Sequence, residues 1–484
     1  MMTPSFRAMR WMPILLSLIA NLSWAQSAYQ PLESNKGQKN DLLTGLAAQY
    51  NKDVSAIEGK YKSEVEARYT ERYERLRQMV EDEHILLDDQ WQAYFDGILQ
   101  NIVQANPELQ KQPLRLLISR YFWPNASCYG EGTIVLNLGL ISRLENESQV
   151  AFVICHELAH QQLDHVNEAI RKQVAQLNSK QTKKELKRIS KLEYGRFEKA
   201  SALLEGMTFV QRRHSRQHES EADQMALQYM KNTAYDSRQS VACLAILDQV
   251  DIPKRPRAID FKKLFDSEHF SFRDRWLTVE ENAFSYVADE EEQQHKDSLK
   301  THPDCSKRIA ILEKLLPPET TADATDAFRP YAHGADYEMI EGTHRFGLYG
   351  LALFQSFLLV EEFPDDPYLH GHIVDCLFEL YQHQKRHELS RVISLPDQRF
   401  EPHYNQYLHF IHNLRLRDLG KLGYYYGLKN AAKCQDYEDF RVAHLQSAAL
   451  VLERAEWLEM KRAYFADFPK GEARRFVREL KYEL

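Results

Sequence analysis

His156-Glu157-Leu158-Ala159-His160 stands in an apolar stretch, with Val150, Ala151, Val153 and Ile154 before it and Leu158 within it. Two imidazoles and a carboxylate on such a helix are costly to bury unless something neutral or cationic satisfies them. Positions four apart on a helix differ by about 40° and rise about 6 Å, so both imidazoles can meet one metal ion. Glu157 lies about 100° round from His156, beside such an ion, where a carboxylate can take a proton from an activated water. With 19 His and 70 acidic residues in 484 positions, H-[D/E]-x-x-H should arise by chance only ~0.1 times. The competing reading is a pair of hydrogen-bonded core histidines.

Two histidines and a water leave one place for the protein to fill in a tetrahedral catalytic zinc site. His165 is near in sequence, but on a continuing helix it sits about 140° from His160 and is expected to point elsewhere. Leu163 and Val166 occupy the positions where H-E-x-x-H-x-x-G-x-x-H needs Gly and His, so a turn-based three-histidine site is not expected. Glu219 is the better candidate. Glu219, Ala222, Asp223, Ala226 and Met230 share one small, apolar helical face. An ion beside Glu219 and an imidazole N–H beside Asp223 would satisfy both carboxylates. The alternative is an ion pair of Glu219 with Arg212, Arg213 or Arg216. Glu221 points about 200° away from Glu219, and His214 and His218 are third choices.

The rest of the chain sets the context. At 484 residues, with 43% apolar and 27% charged positions, two to four folding units of ordinary globular composition are expected. The net charge of −8 argues against a nucleic-acid partner, which calls for a basic surface. Arg7 and Arg10, the apolar stretch Trp11 to Leu22 and Ser23-Trp24-Ala25 read as a cleaved signal peptide over 1–25. An uncleaved anchor is the alternative. The mature chain is then expected to be exported, to a periplasm or to the extracellular space, with no transmembrane helix. Cys128, Cys155, Cys243, Cys305, Cys376 and Cys434 contain no C-x-x-C pair, and their pairing stays open.

Residues 26–88 read as a charged helical extension packed on the next unit. A helix from Trp91 ends at Pro107. Leu114 to Phe122 reads as a strand, Pro124-Asn125 opens a turn closed by Gly130 and Gly132, and Thr133 to Asn137 reads as the returning strand. Asn146 and Gln149 mark the start of the H-E-x-x-H helix. Further helices are expected over 167–193, 197–231 and 238–250, and Asp289 to Glu292 reads as a solvated loop. Lys180, Lys183, Lys184, Lys187, Arg188 and Lys191 form a basic face. It suits an anionic membrane surface, an acidic partner or a lid, though a plain solvated face explains it too. Pro317-Pro318 reads as a linker into an all-helical tail over 317–484. There Pro364 and Pro396 stand 32 positions apart, near the ~34-residue tetratricopeptide period; an irregular bundle is the alternative. Tyr464, Phe465 and Phe468 are expected to dock a last helix over Met460 to Leu484.

H-E-L-A-H, a gap of 58 residues, then E-S-E-A-D resembles the zinc metallopeptidase family of HtpX, Oma, the CAAX prenyl endopeptidases and BepA. The likeness covers residues 89–316 and is nearest to the soluble, periplasmic BepA-like members with a tetratricopeptide-type tail. It implies a mostly α fold of gluzincin type, with a small β-sheet whose edge strand lies over the zinc cleft, followed by the helical tail. His156, His160 and Glu219 would bind one Zn2+, Glu157 would be the general base and Asp223 would support a ligand histidine. Asn125-Ala126-Ser127 and Gly132 to Leu140 are similar to the strand and turn that line up an extended substrate in that family. Thr301-His302-Pro303 and Arg308 resemble a segment whose histidine approaches the zinc as a fourth ligand. Read from the residues, Pro303 suits a first helical position and His302 a cap. Arg308 is open to three readings: a substrate carbonyl, a carboxylate of the site, or the surface.

These features lead to the expectation of an exported zinc metalloendopeptidase acting on protein substrates, misfolded or misassembled envelope proteins among them. Its tail would meet envelope assembly machinery, with peripheral membrane contact as a further option. The rival expectation is a helical-repeat chaperone or assembly factor with a structural or autoinhibited zinc site. Without the membrane helices of HtpX and the prenyl endopeptidases, an intramembrane or prenyl-linked substrate is not expected.

Overall fold

A computed structural model describes residues 28–111, 113–190, 216–250, 254–278, 305–316, 326–397 and 400–482. The proposed signal segment, the linker at Pro317-Pro318 and the acidic run at 289–292 lie outside them.

The extension forms two helices rather than one, α1 (Lys36–Ser55) and α2 (Lys62–Glu81). The side chain of Asn35 caps α1, and Gly59 takes a positive φ between the two helices. Then follow β1 (Ile85–Leu86), α3 (Asp89–Ala105), β2 (Arg115–Ser119), β3 (Ala126–Cys128), β4 (Thr133–Asn137), α4 (Leu138–Ile141) and α5 (Glu147–Gln162). Asn146 caps α5 by accepting from the Gln149 amide, as its place before an apolar run predicts.

The strands order as β1-β2-β4-β3. Here the structure departs from the expected hairpin: β2 and β4 run parallel, Leu117 opposite Val135, and β3 pairs antiparallel with β4, Ser127 opposite Val135. The short β3 lies in the stretch read as a turn, and it takes the antiparallel side of β4. Gly132, at φ 97°, makes the tight return; a Cβ there would fall 2.1 Å from the Pro113 carbonyl oxygen.

Alternation along β2 and β4 sends side chains to two faces. Leu117 and Val135 meet Leu46, Leu76, Met79 and Val80 of α1 and α2. Leu116, Ile118, Ile134 and Leu136 face the main core with Phe95 and Ile98 of α3 and Val150 and Ile154 of α5. The charged extension thus covers one whole face of the sheet, and α5 lies under the other.

After α5 come α6 (His165–Leu177), α7 (Lys180–Ser190), α8 (described over 216–231), α9 (Gln239–Asp248), α10 (Phe261–Phe265) and α11 (Cys305–Leu312). The tail consists of α12 (Arg329–Arg345), α13 (Tyr349–Val360), α14 (Pro367–Lys385), α15 (Pro402–His412), α16 (Leu416–Asn430), α17 (Glu438–Ala448), α18 (Arg454–Asp467) and α19 (Arg474–Glu479). Phe357, Leu369, Leu377 and Phe410 build its core, and Phe261, Phe265 and Trp276 join them although they precede residue 317. Tyr464 is buried against the preceding helices as expected. The last helix nevertheless breaks after Asp467, where Pro469 and Gly471 interrupt it. The chain is mostly helical with one small sheet. None of the six cysteines is bridged, and among the described residues no helix is long and apolar enough to cross a membrane.

Candidate metal centre

α5 is buried almost throughout, and His156 and Glu157 are buried with it. The α8 stripe of Glu219, Ala222, Asp223, Ala226 and Met230 packs into the same core. His156 Nε2 and His160 Nε2 stand 3.1 Å apart. Glu219 Oε2 lies 3.5 Å from the first and Glu219 Oε1 3.3 Å from the second. One donor atom from each of the three residues falls within 4.8 Å of the others.

Around this trio the charges interlock. His156 Nδ1 lies 3.0 Å from Asp223 Oδ1. Arg308, 3% exposed on α11, donates from Nε to Asp223 Oδ2 at 2.6 Å and from Nη2 to Oδ1 at 2.7 Å. Its Nη1 lies 3.0 Å from Glu219 Oε2. Of the three readings open for Arg308, the structure selects the carboxylates of the site. Burial works against a charged imidazole at His156, but the Asp223 and Glu219 carboxylates outweigh it and carry its pKa up to about 10. Burial would likewise push the Asp223 carboxyl up, and Arg308 and His156 hold it below the usual carboxylate range.

Glu157 Oε1 is buried and has no hydrogen-bond partner among the described residues. One turn on, Gln161 Oε1 accepts from the Gly132 amide at 3.2 Å and meets the Cys128 thiol at 3.4 Å. Gln161 therefore ties the β3–β4 turn to α5. β3 packs against α5, and burial first, then the Glu157 carboxylate, push the Cys128 thiol up to about 12. Ala126 is buried, Asn125 Nδ2 donates to Ser127 Oγ at 3.0 Å, and Asn125 Oδ1 is buried without a partner among the described residues. The outer edge of β3 pairs with no strand among the described residues.

His165 is a correction. The continuing helix assumed for it does not exist: α5 stops at Gln162, and Asp164 adopts φ 55° in the left-handed region before α6 begins. The kink swings His165 back, so its Nδ1 lies 3.0 Å from His160 Nδ1. His165 stacks on His218, with centroids 4.0 Å apart, and Glu221 Oε2 sits 3.4 Å from His165 Nε2. Glu221 and His218 thus belong to an outer layer rather than to the trio. The signal for this was Asp164, since Asp and Asn tolerate left-handed backbone better than other residues. His302, with Thr301 and Pro303, lies outside the described residues, as do Arg212, Arg213 and His214.

Two imidazoles and a carboxylate around one point could hold a metal ion, and an unpartnered buried glutamate stands beside them. Residues 89–316 match the model of Peptidase family M48. The chain therefore carries a metallopeptidase domain over that segment, and zinc is the metal on which that family depends. The donor set fits zinc: it leaves a coordination place open, as catalytic sites require. No curated protein matches the chain.

Proposed function

We propose that the protein is an exported zinc metalloendopeptidase of BepA-like type, working in the periplasm on misfolded or misassembled envelope proteins. The carrying observation is that Glu157 Oε1 is buried without a partner beside the convergent His156, His160 and Glu219. His156, His160 and Glu219 would hold the ion. Zinc, when bound, polarises a scissile carbonyl and lowers the pKa of a water. Glu157 takes the proton from the attacking water and hands it to the leaving amine. Asp223 holds His156 at Nδ1 and so aims its Nε2. His302, if it reaches the same centre, would be a fourth ligand.

The open edge of β3 offers an extended peptide a strand to pair with, and Asn125 Oδ1 stands ready to accept from a backbone N–H. The helical tail, read as tetratricopeptide-like, would recognise substrates or envelope assembly machinery, and the basic face of α7 would rest on acidic partners or a membrane surface.

Full-length Glu157→Gln protein is expected to keep as much zinc per chain as the wild type and to lose cleavage of casein. Cleavage at the wild-type rate would overturn the role of Glu157.

A second reading is an assembly chaperone with an autoinhibited zinc site. It is favoured by Arg308 Nη1 at 3.0 Å from Glu219 Oε2, which competes for the carboxylate. Full rescue of a deletion strain by Glu157→Gln would select this reading; loss of rescue would select the peptidase.

A further inference from the structure

The tail holds a second cluster of metal-binding side chains that the peptidase reaction does not use. His344 stands in the last turn of α12, and His372 and Cys376, four apart, occupy one face of α14. One donor atom from each falls within 4.8 Å of the others.

The surroundings are those of imidazoles prepared for an ion. Glu341 Oε2 lies 3.3 Å from His372 Nε2, and Asp375 Oδ2 lies 2.7 Å from His344 Nε2. Each carboxylate holds the Nε2 of one ring, and a carboxylate on one nitrogen of a metal-binding histidine is a usual arrangement. The Nδ1 of His372 is buried and has no hydrogen-bond partner among the described residues. A buried donor or acceptor left this way is unfavourable, and an ion would satisfy it. Glu341 is itself anchored by Tyr368 Oη at 3.3 Å and Arg345 Nε at 2.6 Å. The Cys376 thiol is fully buried at the floor of the cluster.

We propose that His344, His372 and Cys376 form a second metal site, taking a borderline-soft divalent ion of the zinc kind. Two imidazoles and a thiolate suit zinc and its analogue cobalt, and not the hard ions calcium or magnesium. Binding displaces the Cys376 thiol proton to solvent, since the thiolate is the ligand. The ion would clamp α12 to α14 across a gap now bridged by polar side chains. A fourth place falls to water or to Asp375.

Cobalt separates this site from the catalytic one, because the His156, His160 and Glu219 set contains no sulfur and gives no thiolate-to-cobalt charge-transfer band. Full-length protein titrated with Co2+ is expected to develop that near-ultraviolet band, and Zn2+ to abolish it by displacement. Cys376→Ser is expected to lose the band. His344→Ala is a second variant at a side chain 25% exposed. It is expected to keep its circular dichroism and bind Co2+ about tenfold or more weakly. No band in wild-type protein, a band that survives Cys376→Ser, or unchanged affinity in folded His344→Ala would overturn the site.

Discussion

Arg308 grips Asp223 through two hydrogen bonds, of 2.6 and 2.7 Å, while Asp223 stands 3.0 Å from His156 Nδ1. A cation on α11 thus fixes the carboxylate that orients a histidine on α5, through α8. Removing it leaves Asp223 and Glu219 buried with one fewer positive charge. Arg308→Ala is expected to destabilise the protein by about 3 to 5 kcal/mol in urea unfolding. Arg308→Lys is expected to fold better and still bind zinc about tenfold more weakly in competition with a chelator, because an ammonium cannot form both bonds. Wild-type zinc affinity in Arg308→Ala would refute this linkage.

His165 acts on the centre through His160, since their Nδ1 atoms are 3.0 Å apart. His165→Ala removes that partner without touching the donor trio. Zinc affinity is expected to fall roughly 10- to 100-fold, while circular dichroism stays that of the wild type. His165→Asn, which keeps a polar side chain there, is expected to recover part of the loss. Equal affinities in all three proteins would show that His165 is only a packing residue.

The sheet and the tail are joined by Arg120 and Glu338, whose side chains are wholly buried. Glu338 Oε1 also accepts from Tyr29 Oη and the Leu32 amide at 2.8 Å each. Glu338→Ala strands the guanidinium and is expected to cost about 3 to 5 kcal/mol. Arg120→Met combined with Glu338→Leu is expected to cost less than Glu338→Ala alone, because no charge is left buried. Additive losses in a double-mutant cycle would contradict this.

The tail is expected to be acid-labile. His370 donates from Nε2 to Pro364 O at 2.9 Å and accepts at Nδ1 from Tyr426 Oη at 2.8 Å, and burial pushes its pKa down to about 4. Burial likewise lowers His444 to about 4. Unfolded histidines titrate near 6.5, so between pH ~6.5 and ~4 the unfolded chain binds more protons, and stability falls as pH falls through that window. Each residue is expected to account for about 2 kcal/mol between pH 7 and pH 5. Thermal unfolding should show it as a drop in Tm over that range, with a shallower slope for His370→Asn.

The helix faces of the candidate site were legible at once. His156 and His160 share a face because a helical turn is set by local backbone geometry, and the same geometry puts Glu219 and Asp223 on the small apolar stripe of α8. The cap at Asn146 is equally local, its side chain accepting from the amide three residues on. The 89–316 span of the family match is the span over which the motifs themselves are spaced.

Other features depend on contacts between segments far apart in the chain. The periodicity of Leu114 to Asn137 is the same for a hairpin as for the parallel β2–β4 pair. Ala126 to Cys128 decided between them by occupying the antiparallel side of β4. Arg308 had a surface reading and a buried one of equal merit until Asp223, 85 positions away, accepted from its Nε and Nη2. His165 followed from one left-handed residue at Asp164. Periodicity reports which face a side chain takes on its own helix or strand. It carries no term for a partner brought in by the fold, so the ion-pair lattice around the trio was settled only when the elements packed.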